Sequence, residues 1–229
     1  MSIHLMRDLE SLHRDLLSMC ALAEEIINEA VDQLVAPDLE RARAVTRRDD
    51  EMDRWDVQIE EDCLKVLALH QPVAGDLRRI STMLKLIGEL ERVADLGVNI
   101  AERACGLLDG PYLVVPDKLK EMSRISVGML NRSINAYVKM DSELARTVLA
   151  DDDHVDDLNR DIIEGLQQQM CDDNNLVRSA LHLFSASRHI ERVADHATNI
   201  AEDVVYLVEG EIIRHRGQFA PGDIESNDD

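Results

Sequence analysis

The sequence predicts an all-α protein made of two tandem antiparallel three-helix bundles, related by an internal pseudo-two-fold repeat. Three observations predict it. The stretch Glu91-Arg92-Val93-Ala94-Asp95-Leu96-Gly97-Val98-Asn99-Ile100-Ala101-Glu102 returns as Glu191-Arg192-Val193-Ala194-Asp195-His196-Ala197-Thr198-Asn199-Ile200-Ala201-Glu202, with only the middle three residues changed. Aromatic residues are 3% of the 229, Gly and Pro number 10 and 5, and Ala, Leu, Glu, Arg and Asp dominate, the composition of long helices. Apolar residues recur at helical spacing along nearly the whole chain.

The first helix is expected from Leu5 to Ala36, because Leu9, Leu12, Leu16, Met19, Ala23, Ile26, Ile27, Ala30 and Leu34 share one face and Pro37 ends the run. A second helix starts near Asp38 and passes through Trp55, Ile59 and Val66 to about Leu69, where Gln71-Pro72 interrupts the hydrogen-bond ladder. The third carries Leu77, Ile80, Leu84, Ile87, Leu90, Ala94 and Ala101, ending near Leu108 before Gly110-Pro111. The segment from Gly110 to Pro116 reads as a linker. Three more helices follow it, at about Lys118 to Met140, Ser142 to Met170 and Leu176 to Val208, with Asp172-Asp173-Asn174-Asn175 as the last turn.

Sliding the first half by 103 residues superposes Asp38, Glu40, Ala42 and Arg43 on Asp141, Glu143, Ala145 and Arg146. The offset falls to 100 at the third helix of each set, so one loop is three residues shorter in the second copy. The expected units are 1–110, 117–212 and an acidic flexible tail, 213–229. Period alone leaves open one long six-helix arrangement; the Pro-rich hinge and the self-similarity favour two bundles.

A net charge of −21 excludes a large nucleic-acid or anionic-membrane footprint, which needs clustered Lys and Arg. Cations and basic protein surfaces are the natural partners. Cys20, Cys63, Cys105 and Cys171 are too scattered for a thiolate zinc site or a disulfide framework and read as free thiols. With neither a signal-peptide pattern nor an apolar run near the ~20 residues of a membrane span, a soluble cytoplasmic chain is expected.

At ~100° per residue from Glu91, Glu102, Asp95 and Asn99 fall within ~80°, while Leu90, Val93, Ala94, Ile100 and Ala101 lie on the opposite side. The acidic stripe faces away from the core. One account is a solvated face, but such a face preserves polarity, and here identities recur. Asp49 and Asp53 form a companion pair on the second helix and repeat as Asp152 and Asp156. If antiparallel neighbours bring Asp49 and Asp53 beside Glu91 and Asp95, and Asp152 and Asp156 beside Glu191 and Asp195, four anions converge in each half. Arg92 and Arg192 offer one positive charge each; a metal ion answers the charge better. Carboxylate oxygens, with Asn99 or Asn199 at the margin, suit magnesium, manganese, calcium or iron better than zinc.

His154 and His196 adjoin the acidic pairs and are minor candidate ligands; His70, His182, His189 and His215 lack partners at ligand spacing. A di-iron carboxylate enzyme would want a Glu-x-x-His pair on each of two helices, and only Glu10-Ser11-Leu12-His13 fits. No phosphate loop, nucleophile elbow or Cys-His constellation appears. Nothing in the residues demands an enzyme, although a carboxylate-bridged hydrolase or oxidase and a metal-free acidic adaptor stay open as alternatives.

The stretch Gln71-Pro72-Val73-Ala74-Gly75-Asp76-Leu77-Arg78, followed by Leu90-Glu91-Arg92-Val93-Ala94-Asp95 and Asn99-Ile100-Ala101-Glu102, resembles the PhoU family of phosphate-signalling regulators. The resemblance spans nearly the whole chain, though the second half lacks the Gln-Pro turn. It implies a three-helix bundle per half, a cytoplasmic and usually dimeric regulator without enzymatic activity, and metal ions, with iron, manganese or magnesium favoured. It implies as ligands Asp49 with Asp53, Glu91 with Asp95, Asp152 with Asp156, and Glu191 with Asp195. It further implies coupling of a phosphate ABC transporter, through its ATPase component, to a sensor histidine kinase, so that contact with the membrane is only indirect.

Overall fold

The computed structural model describes residues 3–213, so the expected tail lies outside the described residues except for its first position. The described chain folds as α1 (Ile3–Val35), α2 (Leu39–His70), α3 (Ala74–Gly106), α4 (Asp117–Lys139), α5 (Ser142–Leu149), α6 (Asp152–Asp172) and α7 (Val177–Glu209). Single 3-10 turns at Leu107–Asp109 and Asn174–Leu176 close α3 and open α7. The 33 residues of α1, α3 and α7 give rods of about 50 Å. Among the described residues there is no strand, and no helix is long and apolar enough to cross a membrane.

The two copies start their second helices with the same device. Asp38 Oδ1 accepts the Arg41 N–H at 2.9 Å, and Asp141 Oδ1 accepts the Leu144 N–H at 2.9 Å. Each cap satisfies an amide that has no intrahelical partner. In the first copy the buried Gln33 extends the brace, its Oε1 accepting the Asp38 N–H at 3.0 Å. Helices α2, α4 and α7 end on left-handed residues, Gln71, Met140 and Gly210, which turn the chain sharply.

The fifth expected helix, Ser142 to Met170, is two helices. The break falls at Ala150-Asp151, where the Asp151 N–H bonds to the Val148 carbonyl three residues back at 3.2 Å. The cause is local: Asp151, Asp152 and Asp153 favour a fresh helix N-terminus, and Asp151 is held sideways by Arg132 of α4. The register survives the break, because Val155, Leu158, Ile162 and Leu166 remain buried.

The halves do not sit apart as beads on a string. α1, α2 and α3 pack together, as do α4, α5, α6 and α7, but α3 and α7 also lie against each other and α1 touches α4. Leu90, Val93, Ala94 and Ile100 of α3 join Ile190, Val193, Ala194 and Ile200 of α7 in one continuous core. The linker is tied to it: Leu113 and Val115 pack on this core, and the Ser179 hydroxyl donates to the Pro111 carbonyl at 2.7 Å.

Polar groups bridge the two halves at the α3–α7 contact. Lys85 Nζ lies 2.9 Å from the buried Asp203 Oδ1 and 5.3 Å from the Tyr206 ring centre. Nearby, Glu89 Oε2 accepts the Asn199 amide at 3.1 Å and meets His196 Nδ1 at 2.7 Å. Burial opposes ionisation of Glu89, yet these two partners hold its carboxyl below the usual range.

Candidate metal-binding faces

The first acidic face is shared by α2 and α3. Their antiparallel packing sets Asp49 beside Asp53, Glu91 and Asp95, and the crowding is legible in its proton affinity. Burial, then repulsion from Asp95, Asp53 and Glu91, pushes the Asp49 carboxyl up to about 6. Glu91 is raised as well, by burial and then by Asp95, Asp56 and Asp53.

The second face repeats this on α6 and α7. Burial, then Asp195 and Asp156, raises Asp152, against a weak opposing donation from the Thr198 hydroxyl at 3.3 Å. Burial, then Asp156, raises Asp195. Glu191 is raised chiefly by burial, although Arg188 reaches it at 3.3 Å. The eight carboxylates named from the sequence therefore fall into two groups of four, one in each half, each drawn from two neighbouring helices.

The peripheral candidates separate from these groups. His196 meets Glu89 through Nδ1, and Asn199 bonds to the same carboxylate. His154 lines a cleft of about 300 Å3 with Glu121, Arg132 and Asp151, on the α4 side of α6. Asn99 donates to the Asp95 carbonyl at 2.7 Å and stays beside the first face. There Arg192 reaches across from α7, lining a cleft of about 360 Å3 with Glu91, Arg92, Asp95, Leu96 and Asn99. His70, without a ligand partner in the sequence reading, pairs with Asp8 at 3.0 Å.

Sequence reasoning missed Asp56, one turn beyond Asp53, whose charge adds to the repulsion felt by Glu91; carrying the helical wheel on by that turn would have found it. It also missed Glu89 and Lys85, whose partners lie more than a hundred residues away and leave no local pattern.

The donor set fits a hard cation. It is all oxygen, it concentrates negative charge, and Glu191 keeps one oxygen, Oε2, buried without a hydrogen bond. Among the described residues, no three His, Cys, Asp or Glu side chains are gathered closely enough to hold an ion as they stand. Like charges repel one another where no counter-ion lies between them.

A model of the PhoU domain matches residues 16–104 and again 119–204, one match on each set of helices. The chain belongs to the PhoU family. A PhoU homolog of Aquifex aeolicus, a phosphate-specific transport system accessory protein, is 38% identical over 212 residues, covering 93% of this chain and 96% of that one. The PhoU of Escherichia coli K12, described in the same words, is 29% identical over 210 residues, covering 92% and 87%. The crystal structure of PhoU from Pseudomonas aeruginosa superposes with a TM-score of 0.87 at 32% identity, covering 90% of this chain and 99% of that one. That of the phosphate transport system regulatory protein PhoU from Streptococcus pneumoniae gives 0.84 at 25% identity, covering 91% and 99%.

Proposed function

We propose that this protein is a non-enzymatic regulator of phosphate uptake and of the phosphate-starvation response, carrying cations on its two acidic faces. The observation that carries the reading is the end-to-end likeness to phosphate-specific transport accessory proteins, over more than nine-tenths of the chain. Such a regulator works in the cytoplasm, as a homodimer, and docks the ATPase component of a phosphate transporter and a phosphate-sensing histidine kinase. Long helical faces suit that role, because they offer extended surfaces to a partner.

Asp49, Asp53, Glu91 and Asp95 would hold a cation in the first half, and Asp152, Asp156, Glu191 and Asp195 in the second. Magnesium, manganese or iron would supply positive charge that relieves the repulsion and lets each pair of helices approach at lower cost. The chain's own contribution is rigidity: Leu90, Val93 and Ala94, with Ile190, Val193 and Ala194, lock α3 and α7 in the core and hold the carboxylates on their outer faces.

The test is complementation in a bacterium lacking its own PhoU-family protein, reading phosphate uptake and a starvation-responsive reporter in phosphate-rich medium. The wild-type chain should restore repression, and purified chain should bind the ATPase component and the kinase. Unaltered uptake and reporter output, with the protein expressed and folded, would overturn the reading.

A further inference from the structure

We propose that Arg78 and Arg79 form a binding site for a small phosphate monoester, in the cleft where the start of α3 meets the ends of α4 and α7. Neither residue belongs to the acidic faces, which leave the turn from Gln71 to Arg78 without a role. Gly75, Arg78 and Arg79 line this cleft with Met140, Leu207 and Val208, and its volume is about 420 Å3. At ~100° per residue, Arg78 and Arg79 stand ~60° and ~40° to either side of Gly75, so the glycine lies between them on one face of α3. A Cβ on Gly75 would meet nothing within 4 Å, so the cleft is open there.

The positive charge in this cleft is unanswered. The chain has 46 Asp and Glu against 25 Lys and Arg, yet among the described residues neither guanidinium pairs with a carboxylate. Glu209, at the end of α7, is held instead by Arg146 at 2.7 Å. Arg78 Nε is buried without a hydrogen-bond partner. Gly210 leaves the Arg78 guanidinium its place beside the α7 C-terminus, since a side chain there would collide with Nη1. That negative helix end favours a nearby cation, but it leaves Nε unbonded and does nothing for Arg79. Arg79 opposes protonation of His13 on α1, in addition to the burial of that ring, so the field here is positive. The second copy has an answered version of the same place: Arg178 faces Asp109 at 3.7 Å, and the residue after it is Ser179, whose hydroxyl donates to the Pro111 carbonyl.

A buried donor without a partner is costly, and an anion that accepts from it removes the cost. Two guanidiniums set ~100° apart around a helix reach a ligand from two sides. That arrangement suits a tetrahedral phosphate, with three free oxygens, better than a flat carboxylate with two. Met140, Leu207 and Val208 then form an apolar wall for the organic part of an ester.

The experiment is a calorimetric titration of the full-length protein with phenyl phosphate and with inorganic phosphate, in chelator and at fixed ionic strength. Chelator removes any binding through a metal. Phenyl phosphate should bind saturably, one per chain, and more tightly than inorganic phosphate. Arg78→Gln/Arg79→Gln should weaken it roughly tenfold or more. Gly75→Leu should do the same by filling the cleft, while keeping the wild-type melting temperature, because its side chain strikes nothing and leucine favours the helix over glycine. Wild-type protein without saturable binding of phenyl phosphate, or binding that both variants leave unchanged, would overturn the proposal. Equal affinity for the two probes would overturn the monoester assignment.

Discussion

Asp49 carries a carboxylate whose ionisation burial and four acidic neighbours oppose, and the consequence is a defined pH dependence. Its proton is held up to about 6, against 3.8 in an unstrained chain, so between those values the folded state binds a proton that the unfolded state has released. Stability of the cation-free protein from this group is therefore fully present below about 3.8 and is lost as pH rises through about 6. In chelator, the melting temperature of the wild type should fall relative to that of Asp49→Asn between about pH 4 and pH 6.5, and added manganese should close the gap. Parallel curves would show that Asp49 feels no such crowding. Thiols give a second test at this scale. Burial, then Glu24, pushes Cys20 up to about 12, and burial, then Asp62 and Glu60, does the same to Cys63, whereas Cys171 is exposed. A thiol reagent at about pH 8 should modify Cys171 rapidly and reach Cys20 and Cys63 only on unfolding; fast modification of either in the folded chain would contradict their place in the core.

At the scale of elements, apolar periodicity made the helices legible within a few residues, because long amphipathic rods with Pro and Gly between them leave little ambiguity. The break at Ala150-Asp151 was not legible. Neither Gly nor Pro marks it, and its cause includes an ion pair from Arg132 on another helix. The close approach of α3 to α1 was hidden too. A Cβ on Gly97 would lie 2.6 Å from Ile26 Cγ2, whereas the second copy has Ala at the equivalent position 197. Gly97→Ala should therefore destabilise by about 1–3 kcal/mol despite the better helix propensity of Ala. In a double-mutant cycle with Ile26→Ala, measured by urea unfolding, most of that loss should vanish. Simple additivity would mean that α1 and α3 do not meet there.

For the whole molecule, the carboxylate pairing between neighbouring helices followed from the repeat, but the joining of the two halves did not. The repeat-equivalent positions of Lys85, Asp203, Glu89 and His196 hold Ser185, Arg103, His189 and Leu96, so sequence symmetry could not announce these contacts. Their energetic weight differs from that of surface pairs. Lys85→Met leaves the carboxylate of Asp203, which is 1% exposed, without its lysine and should cost about 2–4 kcal/mol. By comparison, Arg43→Met breaks an exposed pair with Glu40 and should cost less than about 0.5 kcal/mol. Denaturant unfolding of both variants checks this, with a single cooperative transition expected because α3 and α7 share one core. Equal costs would mean that the contact between the halves is superficial. The account as a whole turns on the duplicated carboxylates acting as cation sites, which elemental analysis of purified wild type and of Glu91→Gln/Asp95→Asn tests most directly. The double variant should keep its full helical signal and lose the metal of the first half while retaining that of the second; unchanged metal content would contradict the account.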